Sequence, residues 1–176
     1  MSDIMIDIET LGTGPDACIL TIAAQCFDPL KRSELENQKT YYARIDTESQ
    51  PDRNIQQDTL EWWASQHPDT REEAFSENNR VPLDQALSDL GKLIWQSKRF
   101  WANGPTFDAN ILEHAYKSYN MALPWQFFNV RDARTVYGLV PNLAKYPASH
   151  HALEDCRRQI YLLWDALDFL QIRELV

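Results

Sequence analysis

Two periodicities divide the 176-residue chain. Up to Ile45 the apolar positions come in short runs broken by turn formers, as strands do. From Asp58 onward many recur every three or four residues, as in helices that face a core. The first run, Ile4, Met5, Ile6 and Ile8 within Met1 to Ile8, reads as a buried strand interrupted by Asp7 and Glu9. Leu11 to Asp16 is dense in turn formers, and the apolar segment Ala17 to Phe27, closed by Asp28-Pro29, reads as its hairpin partner. Thr40 to Ile45 reads as a third strand, with Tyr42 and Arg44 on one face and Tyr41, Ala43 and Ile45 on the other.

In the second part, Asp58 with Glu61 is close to a capping box and Thr70 with Glu73 is a full one, so two short helices are expected to bracket His67-Pro68. Trp62 and Trp63 lie side by side on the first, where neighbours diverge by about 100°. One is therefore expected in the core and the other partly exposed, or available to stack on a base. Pro82 to Lys98 has the spacing of an amphipathic helix, Arg99 to Ala102 reads as a short strand, and Asn103-Gly104-Pro105 as a sharp turn. Thr106-Phe107-Asp108 opens a helix running to Tyr119, which makes Asp108 a candidate N-cap. Trp125 to Val130 reads as a strand, Asp132 as the cap of a short helix, Pro141 to Ser149 as a loop, and the stretch from His150 as the entry to a last helix. Strands followed by interleaved helices imply an α/β architecture.

The length fits one domain with a sizeable core, and six Trp, seven Tyr and seven Phe exclude a disordered chain. A net charge of −9 without a Lys/Arg block argues against a broad footprint on duplex DNA. It leaves open an enzyme that holds one strand end through metals and stacking. Cys18, Cys26 and Cys156 are odd in number and widely spaced, as expected of buried thiols in a reducing compartment. With neither a basic-then-apolar leader nor an apolar run approaching a membrane span, a cytoplasmic location without membrane contact is expected.

Asp7 and Glu9, two residues apart on a strand, leave it on one face. Like charges that close on a buried strand repel each other and lose hydration, so they call for a cation between them unless the strand is an exposed edge. Asp108 at a strand-to-helix junction and Asp155 beside a His pair add two more carboxylates from distant segments. Four such acids could form a two-metal site, with divalent ions about 3.5–4 Å apart clamping a scissile phosphate. No Gly-rich phosphate loop, Ser-His-Asp spacing or Cys/His zinc spacing competes with that reading.

Asp7-Ile8-Glu9-Thr10, Asn103-Gly104-Pro105-Thr106-Phe107-Asp108 and His150-x-x-x-x-Asp155 resemble, in order, the three motifs of the DEDDh 3′→5′ exonucleases. The segment Asp58 to Gln66 with Pro68, and Phe128-Asn129-Val130-Arg131-Asp132, are similar to the phage exodeoxyribonuclease A group and its bacterial relatives, among them exoribonucleases. The resemblance implies an RNase H-like fold with a mixed sheet. It implies that Asp7 bridges two Mg²⁺ or Mn²⁺ ions, that Glu9 and Asp155 bind the site holding the nucleophilic water, and that Asp108 completes the second. Thr10 and the Leu11 side chain would contact the terminal nucleotide, with Asn103, Trp62, Trp63 and Arg131 as further candidate contacts. Trp101-Ala102 stands where many relatives have Gly-His, which sets Asn103 apart from the usual pattern. The implied partner is a single-stranded 3′ end, and several relatives form homodimers to complete the groove.

For the general base, periodicity and motif disagree. On a continuous helix His151 and Asp155 share a face, whereas His150 and Asp155 diverge by about 140°. The family motif selects His150, which works if His150 lies in the loop before the helix. An imidazole suits the task because it titrates near neutrality. The resemblance favours single-stranded DNA, with RNA the alternative, since no residue type announces a 2′-hydroxyl contact. An RNase H-like endonuclease and an inactive binding domain whose acids cap helices are the competing readings.

Overall fold

Alternation along the first strand sets the layers. The structure, a computed structural model, describes residues 2–143 and 148–175. In strand β1 (Asp3–Thr10), Ile4, Ile6 and Ile8 enter one apolar cluster while Met5 enters another on the opposite face. Asp7 and Glu9 continue the Met5 face towards the end of the strand. Strand β2 (Ile19–Phe27), buried along its whole length, pairs antiparallel with β1, and β3 (Thr40–Ile45) pairs antiparallel with β2. Burying a side chain such as Ile6 or Ile22 contributes about 1.5–3 kcal/mol. The core of the sheet therefore lies directly under the acids.

Helices α1 (Gln57–Ala64) and α2 (Pro68–Phe75) follow, then β4 (Arg80–Val81), which pairs parallel with β3. Helix α3 (Leu83–Ile94), strand β5 (Phe100–Ala102), helix α4 (Pro105–Ser118), strand β6 (Val130–Asp132), helix α5 (Ala133–Gly138) and helix α6 (Ala152–Phe169) complete the order. The sheet runs β4-β3-β2-β1-β5-β6, with β5 parallel to both β1 and β6. Helices α3 and α4 pack on the Ile4/Ile6/Ile8 face, whereas α5 and α6 pack on the Met5 face. This mixed sheet between helices is the α/β architecture expected.

Several local expectations change. The capping boxes at Asp58 and Thr70 do not form. Helix α1 starts from Gln56 without a side-chain cap. Helix α2 starts earlier than Thr70, with Pro68 in its first turn and His67 accepting the Asp69 N–H. Proline presets the helical φ, so the start falls at Pro68 and Thr70 is already inside. The strand expected over Trp125 to Val130 is displaced to Val130–Asp132. Trp125 packs in the core against Phe100 and Tyr116, and Phe127–Asn129 forms a 3-10 turn. Asp132 does cap α5, accepting from the Arg134 N–H and the Thr135 hydroxyl. Of the loop expected from Pro141 to Ser149, residues 144–147 lie outside the described residues.

Candidate active site

The acids meet where β1 outruns β5. Strand β5 pairs with β1 only at Ile4 and Met5, then ends at Ala102, and the chain turns through Asn103 and Gly104 into α4. Gly104 takes the left-handed φ of +103°, a backbone that glycine adopts without strain. The Ile8 N–H is thus left without a strand partner, and Asp108 Oδ1 accepts it at 3.2 Å. Asp108 is therefore not the N-cap of α4, a position held by Gly104. Its carboxylate reaches across from the far side of the sheet to the end of β1. On the other edge, the β1–β2 register slips between Glu9 and Thr10, and such irregularities re-aim side chains at strand ends.

From α6 come Asp155 and Gln159, one helical turn apart. Gln159, almost fully buried, donates from Nε2 to Asp7 Oδ1 at 2.7 Å. Asp155 Oδ1 accepts the Ser149 N–H at 3.1 Å and Arg158 Nε at 2.9 Å, and Oδ2 accepts the His150 N–H at 2.9 Å. Asp155 thereby ties down the loop carrying His150, which sits just before α6 in a left-handed conformation at φ 57°. Ligand atoms of Glu9, His150 and Asp155 all lie within 4.8 Å of one another. Asp7, Glu9, Asp108, His150 and Asp155 line one cavity together with Asn103, Phe107, Arg134, Arg158 and Gln159.

The electrostatics of this cavity call for positive charge. Burial first, then Asp108, Glu9 and Asp155, push the Asp7 carboxyl well above the ordinary carboxylate range. Burial, Asp155 and Asp108 raise Glu9 to about 8, and burial raises Asp108 to about 7 against the opposing pull of its backbone hydrogen bonds and Arg134. Glu9 accepts no hydrogen bond among the described residues, and Gln159 Oε1 is buried without a partner. Oxygen-rich, poorly donated and partly buried, the donor set fits hard divalent cations such as Mg²⁺ or Mn²⁺.

The sign of this effect gives a test. A carboxyl raised on folding contributes stability below its unfolded value near pH 4, and that contribution is lost as pH rises through the folded values near 7 and 8. The metal-free protein is expected to melt at a lower temperature at about pH 8.5 than at about pH 5.5. Added Mn²⁺ should raise the melting temperature more at the higher pH. A metal-induced gain equal at both pH values would remove the carboxylates as the binding site.

The expected substrate contacts divide. Trp62 is 41% exposed and Trp63 is 2% exposed, so one Trp is core and the other open. Trp63 Nε1 donates to the Thr10 carbonyl at 2.9 Å, which locks α1 onto the end of β1. The Trp62 ring meets the His150 ring edge-on at 4.9 Å and lines a second cavity with Glu9, Thr10, Gln56 and Phe107. Thr10 is mostly buried, and its hydroxyl donates to the Gly12 carbonyl at 2.6 Å. Leu11 packs with Cys18, Leu20, Trp63 and Ala74 and does not line that cavity. Asn103 lines the carboxylate cavity, whereas Arg131 donates to the Phe128 and Val130 carbonyls and lines neither.

A model of the 3'-5' exoribonuclease Rv2179c-like domain family matches residues 2–166. The chain belongs to this family. It is accordingly a 3'-5' exonuclease. The exodeoxyribonuclease of Enterobacteria phage T4 is 25% identical over 208 residues, covering 96% of this chain and 90% of the phage protein. Exonuclease I of E. coli, solved in complex with a dA16 oligonucleotide, shares the fold at a TM-score of 0.63 and 17% identity. The match covers 96% of this chain but only 43% of Exonuclease I. The nuclease domain of 3'hExo, a DEDDh family member solved with rAMP, shares it at a TM-score of 0.57 and 14% identity, over 96% of this chain and 92% of that one. The fold is RNase H-like.

Within this family frame, the sequence left Gln159, Arg158, Arg134 and Phe107 unassigned although all four line the cavity. Gln159 had one usable signal, its place one turn after Asp155 on the same helix face. Arg134 had none, because its neighbours at Asn103 and Gly104 are about thirty residues away in the chain.

Proposed function

We propose that this exonuclease removes 5′-mononucleotides one at a time from the 3′ end of single-stranded nucleic acid, with two divalent cations held by Asp7, Glu9, Asp108 and Asp155. The observation that carries the reading is the convergence of those four carboxylates and His150 on one cavity at the open end of β1. The 3′-terminal nucleotide enters the adjoining cavity, where Trp62 and Phe107 offer aromatic surface to its base beside Thr10. His150 accepts the proton of the attacking water, and Asp155 holds the backbone of His150 in place through its N–H. Gln159 fixes the orientation of Asp7. Divalent cations bound by the four acids supply Lewis acidity to the attacking water and to the departing 3′ oxygen. The P–O3′ bond breaks, the terminal nucleotide leaves with its 5′ phosphate, and the shortened strand keeps a 3′-hydroxyl.

DNA is the first substrate of this reading, supported by the phage relative aligned over nearly the whole chain. RNA is the second, supported by the family's description as exoribonuclease. Residues 1–176 are assigned to a single exonuclease domain, in keeping with one sheet and a family match over 2–166. A cytoplasmic setting, supported by three buried free cysteines, belongs to the same reading. No helix of the described residues is long and apolar enough to cross a membrane.

The test is a gel time course on matched 5′-labelled single-stranded DNA and RNA, with Mg²⁺, with Mn²⁺ and with chelator. A metal-dependent ladder shortening by one nucleotide per step is expected, and the faster substrate identifies the preferred sugar. Cleavage of a circular single strand at the same rate would indicate an endonuclease instead.

A further inference from the structure

Arg134 stands out among the side chains that line the carboxylate cavity. It follows Asp132, whose carboxylate accepts the Arg134 N–H at 3.0 Å, so its backbone is pinned at the start of α5. Its guanidinium is exposed at the rim, and Nη2 donates to the Asn103 carbonyl at 2.9 Å. The group lies against the Gly104 turn. A Cβ added at Gly104 would sit 3.4 Å from Arg134 Cζ, an ordinary van der Waals contact, so the guanidinium packs directly over the turn. With one nitrogen anchored, Nε and Nη1 have no hydrogen-bond partner among the described residues.

The plain alternative is that Arg134 merely offsets the charge of the acids. It would then be expected to pair with one of them, yet it forms no ion pair with any described carboxylate. The other described cation lining the cavity, Arg158, does so, binding Asp155 Oδ1 at 2.9 Å. A guanidinium held beside four acids by a carbonyl, with donors to spare, is suited to an incoming anion. Arginine binds phosphate through paired N–H donors of this kind.

Sheet order says which phosphate. The cavity lined by Trp62 and Thr10 is walled by α1, the turn after β1 and Phe107 at the start of α4, the four acids gather around the end of β1, and Arg134 lies beyond β5, in the first turn of α5 just after β6. A strand whose terminal nucleotide occupies the first cavity crosses the acids at its scissile phosphate and continues towards Arg134. We propose that Arg134 binds the phosphodiester immediately 5′ of the scissile one, gripping the strand that is retained. This inference rests on the exonuclease reading above.

Dinucleotides isolate the contact. A dinucleoside monophosphate carries the scissile phosphate alone, and its 5′-phosphorylated form adds the phosphate assigned to Arg134. The wild type should hydrolyse the phosphorylated form about 10- to 100-fold better in kcat/KM, and Arg134→Gln should bring that ratio close to one. Arg134→Lys should retain part of it. On the wild-type protein, a trinucleotide with a neutral methylphosphonate at that linkage should lose a comparable factor, an arm that needs no variant to fold. An unchanged ratio in Arg134→Gln, or a methylphosphonate substrate cut as fast as its parent, overturns the assignment. If the wild type hydrolyses no oligonucleotide at all, the exonuclease reading itself fails, an outcome distinct from either of these.

Discussion

Asp7→Asn is expected to abolish hydrolysis, by more than about 10³-fold, while making the metal-free protein more stable. The two effects have one origin. Asp7 is forced to share a partly buried space with three other acids, and burial together with those neighbours pushes its carboxyl far up. An amide of the same shape removes one charge from that repulsion, and its oxygen can still accept the Gln159 Nε2 hydrogen bond. As pH rises and the raised carboxyls ionise, the metal-free variant should therefore melt increasingly higher than the wild type. Its gain from Mn²⁺ should shrink, since one ligand oxygen has lost its charge. Near pH 5, where the raised carboxyls are protonated, the two proteins should converge. Full exonuclease activity in a folded Asp7→Asn protein would sink the catalytic assignment of the acids. Asp155→Ala is less clean as a probe, because Asp155 also accepts from Ser149, His150 and Arg158, and its loss frees the loop.

The layers of the fold were legible because β1 states both faces at once. Ile4, Ile6 and Ile8 alternate with Met5, Asp7 and Glu9, so a two-residue period places the acids and the core together. The apolar side of α6 was similarly plain. What stayed hidden depended on where neighbouring elements stop. Asp108 read as a helix cap because a strand-to-helix junction is the common setting for a capping Asp. Its actual partner, the Ile8 N–H, is left without a strand partner only because β5 is just three residues long. Thr70 and Glu73 had the spacing of a capping box, but Pro68 had already started the helix. Glu73 instead receives hydrogen bonds from Tyr42 and Arg44, a tertiary use that local spacing cannot signal. The apolar look of Trp125 to Val130 combined one core residue, Trp125, with two exposed ones, Phe127 and Phe128, and so suggested a longer strand than exists.

The choice between His150 and His151 follows from the same kind of tertiary detail. His151 is the N-cap residue of α6, and its ring stacks on Tyr42 at 5.0 Å with planes 24° apart. Its Nε2 lies 3.6 Å from Glu73 Oε1, so this imidazole is turned towards α2 and β3. His150 faces the carboxylate cavity instead, edge-on to Trp62, in a left-handed backbone that Asp155 secures. Left-handed residues outside glycine are most often Asn, Asp or His, which makes Asn the replacement least disturbing to the loop. His150→Asn should lower kcat by about 10²–10⁴-fold, the range of a general base, while the Mn²⁺-induced rise in melting temperature persists. His151→Asn should cost chiefly stability, through the lost stacking on Tyr42, and change kcat less than about tenfold. The reverse ranking, with His151→Asn the damaging change and His150→Asn nearly silent, would restore the helical-face reading. A His150→Asn protein that lost both activity and the Mn²⁺ response would identify His150 as a metal ligand, a role its closeness to Glu9 and Asp155 also permits.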